Sequence, residues 1–148
     1  MRRSGRGLPK TTSASVLGAD TNVLVRFLTR DDPVQSPKSY QLFTEAANQP
    51  IRVCVVALVE LVWVLHKVKR WPLAEVFDAC EELLDSSDFE FEERELVVRA
   101  LDEARQADCD LADALIALFN HRAGCESTAT FDGNAQKLAL MTPVERRL

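Results

Sequence analysis

Four acidic side chains occupy positions that the polarity of a protein surface does not explain. Asp20 directly follows the apolar run 16–19, and Asp132 follows a second short β-like run. Glu60 interrupts an apolar helical segment, and Asp110 begins another helical segment. A carboxylate in apolar surroundings is costly unless it is paired, protonated or bound to a metal. These four residues are therefore the candidates for chemistry.

Each of these acids also suits an ordinary structural role. Asp20 and Asp110 are good helix N-caps, and Asp132 is suited to an Asx turn. Glu60 could lie at the rim of a helix face or pair with a Lys or Arg. Asp113 lies one turn after Asp110, so the two carboxylates share one face of their helix.

Together the acids indicate a cation site. We expect three of them at strand-to-helix junctions, which a parallel sheet gathers along one edge. Carboxylates ~5 Å apart repel by ~3 kcal/mol per pair at an effective dielectric of about 20, so a cluster must share protons or bind a cation. Oxygen ligands without His or Cys select Mg²⁺ or Mn²⁺. Such a cation activates water and steadies the charge on phosphate.

The elements that must position these acids alternate between short apolar strands and amphipathic helices. This alternation predicts an α/β fold with a mostly parallel sheet, and the sequence contains no glycine-rich phosphate loop. Gly124 is expected just beyond the end of a helix. The predicted strands are 16–19, 51–55, 89–91 and 127–130, and the predicted helices are 21–29, 37–48, 57–70, 73–84, 92–107, 111–123 and 133–140.

Composition limits the class of protein. The chain of 148 residues is 47% hydrophobic and 28% charged, which suits one globular domain. We expect a disordered basic tail over 1–14 and a single domain over 15–148. The net charge of −5 excludes binding of nucleic acid through a uniformly basic surface. The longest apolar run, 53–65, is far shorter than the ~20 residues that cross a bilayer. We expect a cytoplasmic protein without membrane contact.

The four cysteines, Cys54, Cys80, Cys109 and Cys125, are too widely spaced for a CxxC zinc knuckle. We expect four reduced thiols and no disulfide. Cys54 lies in an apolar run, so we expect it to pack as a small hydrophobic residue.

Four segments of the chain occur in a characteristic order, at 18–28, 59–65, 110–116 and 130–132. They read GADTNVLVRFL, VELVWVL, DLADALI and TFD. In these segments the chain resembles PIN-domain ribonucleases, and specifically the VapC toxins of bacterial type II toxin–antitoxin systems. The resemblance covers about residues 16–143. It implies a PIN-like fold, a mostly parallel central sheet flanked by helices, with an acidic site at the carboxyl edge of the strands.

The resemblance also implies roles for individual residues. Asp20 and Asp110 would be the chief metal ligands, and Glu60 a ligand or the group that orients the attacking water. Asp132 would complete the acidic centre, in some members through a water molecule. The residues that would support these carboxylates are Asp113, Thr21, Asn22 and Thr130.

The activity that the resemblance implies is endoribonuclease cleavage dependent on Mg²⁺ (or Mn²⁺), leaving a 5′-phosphate and a 3′-hydroxyl. The implied partners are an RNA substrate and a VapB-like antitoxin that blocks the site. We also expect a homodimer, with the apolar helix near residues 56–65 as its interface.

Basic residues near the acids are candidates for contact with RNA phosphates. A structural role explains them equally well, because exposed basic residues near the carboxyl end of a helix stabilise its dipole. We expect Trp63 in the core or in a dimer interface rather than stacked on a nucleobase. We expect His66 and His121 at the surface, without a catalytic role. The basic candidates are Arg26, Lys67, Lys69 and Arg70.

Two other functions compete with the nuclease. The first is a catalytically silent PIN-fold module that acts by protein interaction, which would not need the intact acid set. The second is an aspartyl-phosphate enzyme with Asp20 as nucleophile. Haloacid-dehalogenase phosphatases need an acid two residues after the nucleophile, and that position is Asn22 here.

Overall fold

The computed structural model describes residues 17–45 and 49–145. The predicted tail at 1–14, the start of the first strand and the end of the second predicted helix lie outside the described residues. The helices within them are α1 Thr21–Thr29, α2 Gln35–Glu45, α3 Val55–Trp63, α4 Leu73–Asp85, α5 Arg94–Ala107 and α6 Leu111–Arg122. The strands are β1 Ile51–Val53, β2 Phe89–Phe91, β3 Thr128–Thr130 and β4 Met141–Pro143. A π-helical turn, Val64–Val68, continues α3, and a 3₁₀ turn, Ala135–Lys137, precedes β4.

Strand pairing in the described chain is parallel. β1 pairs with β2, and β3 pairs with β4. Gly18 forms an isolated parallel bridge to Arg52, and the Ala19 N–H donates to the Arg52 carbonyl at 3.0 Å. The first predicted strand is thus a single bridge within the described residues, and β4 was not predicted. The α/β class with parallel strands is confirmed.

An aromatic cluster fixes the first two helices on the sheet. The ring of Phe43 packs edge-on against Phe27 and Phe89, at centroid distances of 4.8 and 4.9 Å. Leu58 and Leu61 on α3 are fully buried in the same core. Burial of these side chains supplies the driving force that holds α1 and α3 side by side.

Helix α3 begins in an unexpected way. Cys54 occupies its N-cap position but makes no capping hydrogen bond, and it is exposed rather than packed as predicted. It follows the buried Val53, and because burial alternates along β1, position 54 falls on the exposed side. The cap comes instead from Glu92, whose Oε1 accepts from the Val55 N–H at 2.8 Å.

Helices α5 and α6 form an antiparallel pair joined by a tight corner. Asp108 ends α5 in the left-handed conformation, with φ of 55°, and Asp110 then caps α6. At the other end, Arg122 makes two hydrogen bonds to the Glu93 carboxylate. Gly124, with φ of 106°, follows α6 and donates to the His121 carbonyl, which confirms its predicted place. No helix in the described ranges is long and apolar enough to cross a membrane.

Candidate functional site

A groove of about 340 Å³ runs between the end of α3 and the start of α6. Four aspartates line part of it: Asp110, Asp113 and Asp132, which form the acidic wall, and Asp108 at the α5–α6 corner. The end of α3 and the π-helical turn line the opposite part, including Trp63 and Lys67, and Leu73, Cys109, Ala112 and Asn134 complete the lining. The groove therefore has an acidic wall and a wall that is aromatic and basic.

Local backbone geometry holds the acidic wall in place. Asp110 Oδ1 accepts from the Ala112 N–H at 3.2 Å, which starts α6. Asp132 Oδ1 accepts from the Asn134 N–H at 2.8 Å, in an Asx turn after β3. The cap and turn roles foreseen as alternatives are thus both present. Each of these two hydrogen bonds uses one carboxylate oxygen, so it orients the Asp110 or Asp132 side chain and leaves its second oxygen available.

The three carboxylates of the acidic wall interact electrostatically. Burial raises the pKa of Asp113 above its ordinary value, and the charges of Asp110 and Asp132 raise it further. None of the three forms an ion pair with a basic residue in the part of the chain that the structure describes. The wall therefore carries negative charge that no ion pair among the described residues offsets.

Asp20 and Glu60 form a second acidic pair on the α1 side of α3. Asp20 Oδ1 caps α1 by accepting from the Val23 N–H at 3.2 Å. The Thr21 hydroxyl donates to Glu60 Oε1 at 2.5 Å. Glu60 itself is exposed, which corrects its expected apolar setting. Its neighbours Leu58 and Leu61 point into the core, whereas position 60 falls on the outer face of the helix.

The predicted acids thus lie in two groups. Asp20 and Glu60 are linked through Thr21, whereas Asp110 and Asp132 share the groove. Over residues 17–45 and 49–145, no three Asp, Glu, His or Cys side chains are arranged as a metal-ligand set. Asp110 does not lie at a strand-to-helix junction, because the element that precedes it is helix α5 and not a strand.

Comparison with known families identifies this combination of fold and acids. The family model described as the PIN domain matches residues 19–140. The chain belongs to the PIN domain family. The matched range includes all five carboxylate residues of the two groups. No protein in the curated set that was compared matches the chain.

Members of the PIN domain family are typically nucleases that use divalent metals. The acids of this PIN domain supply the type of oxygen donor that such a cation takes, although the described side chains do not form a compact ligand set. Asp20, Asp110 and Asp132 each keep one oxygen that no described donor bonds. Oxygen donors with excess negative charge match Mg²⁺ or Mn²⁺ and do not match the Cys and His preference of structural zinc.

The supporting residues predicted around the acids fall into two classes. Thr21 touches Glu60, and the Thr130 hydroxyl accepts from the Asp132 N–H at 3.0 Å. Both threonines therefore hold an acid-bearing turn or helix of the PIN domain. Asn22 is exposed in the first turn of α1 and bonds to neither acidic group.

The predicted RNA-contacting residues separate in the same way. Arg26 bonds Gln35 at 2.8 Å, and Lys69 bonds Asp31 at 2.7 Å, so both tie the α1–α2 connection together. Arg70 is exposed, with φ of 65°. Lys67, of these four residues, is the one that lines the groove.

Two residues of the PIN domain, Glu92 and Trp63, were missed or misassigned from the sequence. Glu92 directly follows β2 and caps α3, and no local pattern indicates a cap from so far along the chain. Trp63 is 57% exposed and lines the groove, so it is not in the core. Its spacing from Glu60 on one helical face could have indicated this exposure. His66 also lines the groove, and its Nδ1–H donates to the Trp71 carbonyl at 2.9 Å.

Proposed function

We propose that this PIN domain is a metal-dependent endoribonuclease toxin of the VapC type, formed by residues 15–148. The observation that carries the proposal is the acidic wall. Burial raises the pKa of Asp113, and the charges of Asp110 and Asp132 raise it further, in a groove where no described basic side chain forms an ion pair with these acids. Such uncompensated charge is expected where a divalent cation belongs. The family match supports the nuclease class.

Asp20, Glu60, Asp110 and Asp132 would hold Mg²⁺ or Mn²⁺. When bound, such an ion supplies a water of lowered pKa and positive charge beside the phosphate. Asp110 and Asp132 present carboxylates that their backbone hydrogen bonds already orient. Thr21 fixes Glu60, Thr130 fixes the Asp132 turn, and these contacts reduce the reorganisation required of the site. Asp113 and Asn22 would act as accessory groups.

The proposed partners follow from charge and exposure. A VapB-like antitoxin that inserts a basic side chain into the acidic wall would neutralise it and exclude RNA. A homodimer would use the outer face of α3, where Val56 is 76% exposed. We also propose that the protein acts in the cytoplasm, where it would meet both RNA and antitoxin.

Cleavage of total RNA by purified protein tests the proposal. The reactions contain Mg²⁺, Mn²⁺ or EDTA, and compare wild type with Asp20→Asn and Asp110→Asn. Asp102→Asn is the matched control, because Asp102 is an exposed acid on α5 outside both acidic groups. We expect metal-dependent cleavage that both site variants abolish and the control keeps. Cleavage that persists in EDTA and in both site variants would contradict the assignment.

A catalytically silent PIN-fold interaction module is the second candidate. One observation favours it: the described acids fall into two groups instead of one compact ligand set. Titration with Mn²⁺ separates the two functions. Binding that Asp110→Asn weakens supports the nuclease. Absence of binding by the wild-type protein, together with intact RNA in all conditions and antitoxin shown to be absent, supports the silent module.

A further inference from the structure

The wall of the groove formed by α3 and the π-helical turn is chemically distinct from the acidic wall. It presents Trp63, His66 and Lys67. An indole, an imidazole and an ammonium group cannot supply the oxygen ligands that a hard cation takes. This wall therefore has a different task from the acids, although it borders the same groove.

Trp63 is the dominant feature of this wall. Its side chain is 57% exposed, and no aromatic or basic side chain of the described residues stacks on the ring. An open indole face in a groove is a stacking platform, since every nucleobase has a flat π-surface. Tryptophan also loses little side-chain entropy when such a contact forms, because it has two side-chain torsions.

The π-helical turn brings a cation beside the ring. The Lys69 N–H donates to the Val64 carbonyl at 2.9 Å, five residues back, which widens the helix. The His66 Nδ1–H holds the turn through the Trp71 carbonyl. Lys67 then lines the groove with Trp63 and makes no ion pair with a described carboxylate. Its ammonium remains available for a phosphate.

We propose that this wall binds one unpaired nucleotide of the RNA substrate, with its base stacked on Trp63 and its phosphate on Lys67. The inference rests on the proposed function, because it names two residues that contact the RNA at the same site. A base inside a duplex has both faces covered by its neighbours, so it cannot stack on a protein ring without leaving the helix. Trp63 and Lys67 are therefore suited to contact a nucleotide that lies outside a duplex.

The exposed ring beside the acidic wall agrees with this assignment. Phe131 immediately precedes Asp132 and is 89% exposed. Phe131 does not itself line the groove, but it adjoins the acidic wall through Asp132 and offers a second exposed ring to a strand that leaves the groove. Alternation of stacking rings with a cation is typical of grooves that bind single-stranded nucleic acid.

A single-tryptophan variant makes Trp63 its own reporter. The chain has two tryptophans, so Trp71→Phe leaves Trp63 alone. Trp71 is half-buried, and its backbone carbonyl rather than its ring holds His66. The variant is titrated in EDTA with a single-stranded RNA of about 10 nucleotides, within the usual site size of such grooves. We expect the single strand to quench Trp63 fluorescence and the same strand in a duplex to leave it unchanged.

Affinity measurements test the ring and the ammonium separately. With fluorescently labelled RNA, Trp63→Leu should bind the single strand about 5-fold to 150-fold more weakly than wild type. Trp63→Phe should recover most of this loss, because it restores an aromatic face. Lys67→Gln should reduce the dependence of binding on salt by about one phosphate contact. Trp71→Phe is the matched control and should bind as wild type does.

Three results would overturn the inference. They are RNA binding that leaves Trp63 fluorescence unchanged, equal affinity of Trp63→Leu and wild type, and no RNA binding by the wild-type protein. Sedimentation that shows Trp63→Leu dissociating a dimer would assign the ring to a second copy instead. Because the titration contains EDTA, it does not depend on cleavage. Quenching of Trp63 fluorescence without any nuclease activity would support this inference and refute the proposed function. RNA cleavage together with unchanged RNA binding by Trp63→Leu would support the proposed function and refute this inference.

Discussion

The Thr21 hydroxyl donates a 2.5 Å hydrogen bond to Glu60 Oε1 across 39 positions of sequence. The bond joins the first turn of α1 to the middle of α3. Since Asp20 caps the same turn of α1, this contact fixes the relative positions of two acids that the sequence places far apart. The threonine therefore acts as a positioning residue between them.

Replacement of Thr21 by Val removes the hydroxyl with little change in volume. We expect a loss of about 0.5–1.5 kcal/mol in the free energy of unfolding, the usual net value of one hydrogen bond. Mn²⁺ affinity should fall as well, because Glu60 loses its orienting contact. Urea unfolding and Mn²⁺ titration measure the two effects. Thr21→Ser keeps the hydroxyl and should restore metal affinity. Equal Mn²⁺ affinity of Thr21→Val and Thr21→Ser would contradict the positioning role of Thr21.

Asp110 has a capping role and a proposed metal role, and two substitutions separate them. Asn caps a helix as well as Asp does, so Asp110→Asn should keep the stability of α6. Asp110→Ala should lose ~1 kcal/mol of stability. Both variants should bind Mn²⁺ at least ~10-fold more weakly, since even loss of a group that supports a ligand costs this much. Thermal unfolding and metal titration provide the measurements, and normal metal affinity in Asp110→Asn would exclude this residue as a ligand.

The Asp31–Lys69 ion pair should make stability depend on pH. The hydrogen bond from Lys69 is the largest cause that lowers the pKa of Asp31 from 3.8 to about 2, followed by that from Thr29. A lowered carboxyl pKa stabilises the fold above its unfolded-state value, and this contribution disappears as the pH falls through the folded-state value. Wild type should therefore exceed Lys69→Met in stability above about pH 4, and the difference should vanish between pH 3.8 and about 2. Thermal melts across this range measure the difference.

An NMR titration of the Asp31 carboxyl carbon provides the direct check on this pair. In Lys69→Met the midpoint should rise toward 3.8, although the Thr29 hydroxyl still donates to the carboxylate. Equal midpoints in wild type and variant would show that Lys69 does not hold Asp31 in solution.

The four thiols should differ sharply in reactivity. Cys54 and Cys125 are exposed, whereas Cys80 is buried, and burial raises its pKa to about 12. Because the thiolate is the nucleophile, iodoacetamide should modify the two exposed cysteines of the native protein and leave Cys80 intact. All four should react in urea. Mass spectrometry of peptides gives the answer, and modification of native Cys80 as fast as Cys125 would refute its burial.

The cap that Glu92 supplies to α3 can be removed and replaced. Glu92→Ala leaves the Val55 N–H without its acceptor and should cost ~1 kcal/mol of stability. Addition of Cys54→Ser places a hydroxyl at the N-cap position and should recover part of this loss. Urea unfolding of the single and double variants measures both effects. If the double variant is no more stable than Glu92→Ala, the cap is not the source of the loss.

Much of the helical framework is predictable from local sequence. The bounds of α1 follow from the Asp20 cap and the apolar spacing of Leu24 and Phe27, and the structure gives the predicted residues, Thr21–Thr29. Helix α6 is equally clear, because Asp110 begins it and Gly124 follows it. These signals act over one or two turns, so one sequence contains all the information they need.

The features that were missed depend on distant parts of the chain. The strand β4 has three residues, including Pro143, and it exists because Thr128–Thr130 lies beside it. The π-helical turn has no residue pattern of its own. The exposed setting of Glu60 was misread, because Val56 and Trp63 make its outer face look apolar in sequence although both are exposed.

The dependence of α3 on Glu92 also orders events during synthesis. Asp20, Glu60 and Trp63 leave the ribosome well before Glu92. Helix α3, which carries Glu60 and Trp63, therefore emerges before the acceptor that caps its first turn. Glu92 directly follows β2, the partner of β1, and is made 37 residues after the Val55 N–H that it caps. Fragments that stop short of residue 92 hold part of the acid set on an unfinished helix. The acidic wall is synthesised later still, because Asp110, Asp113 and Asp132 all follow Glu92 in the sequence.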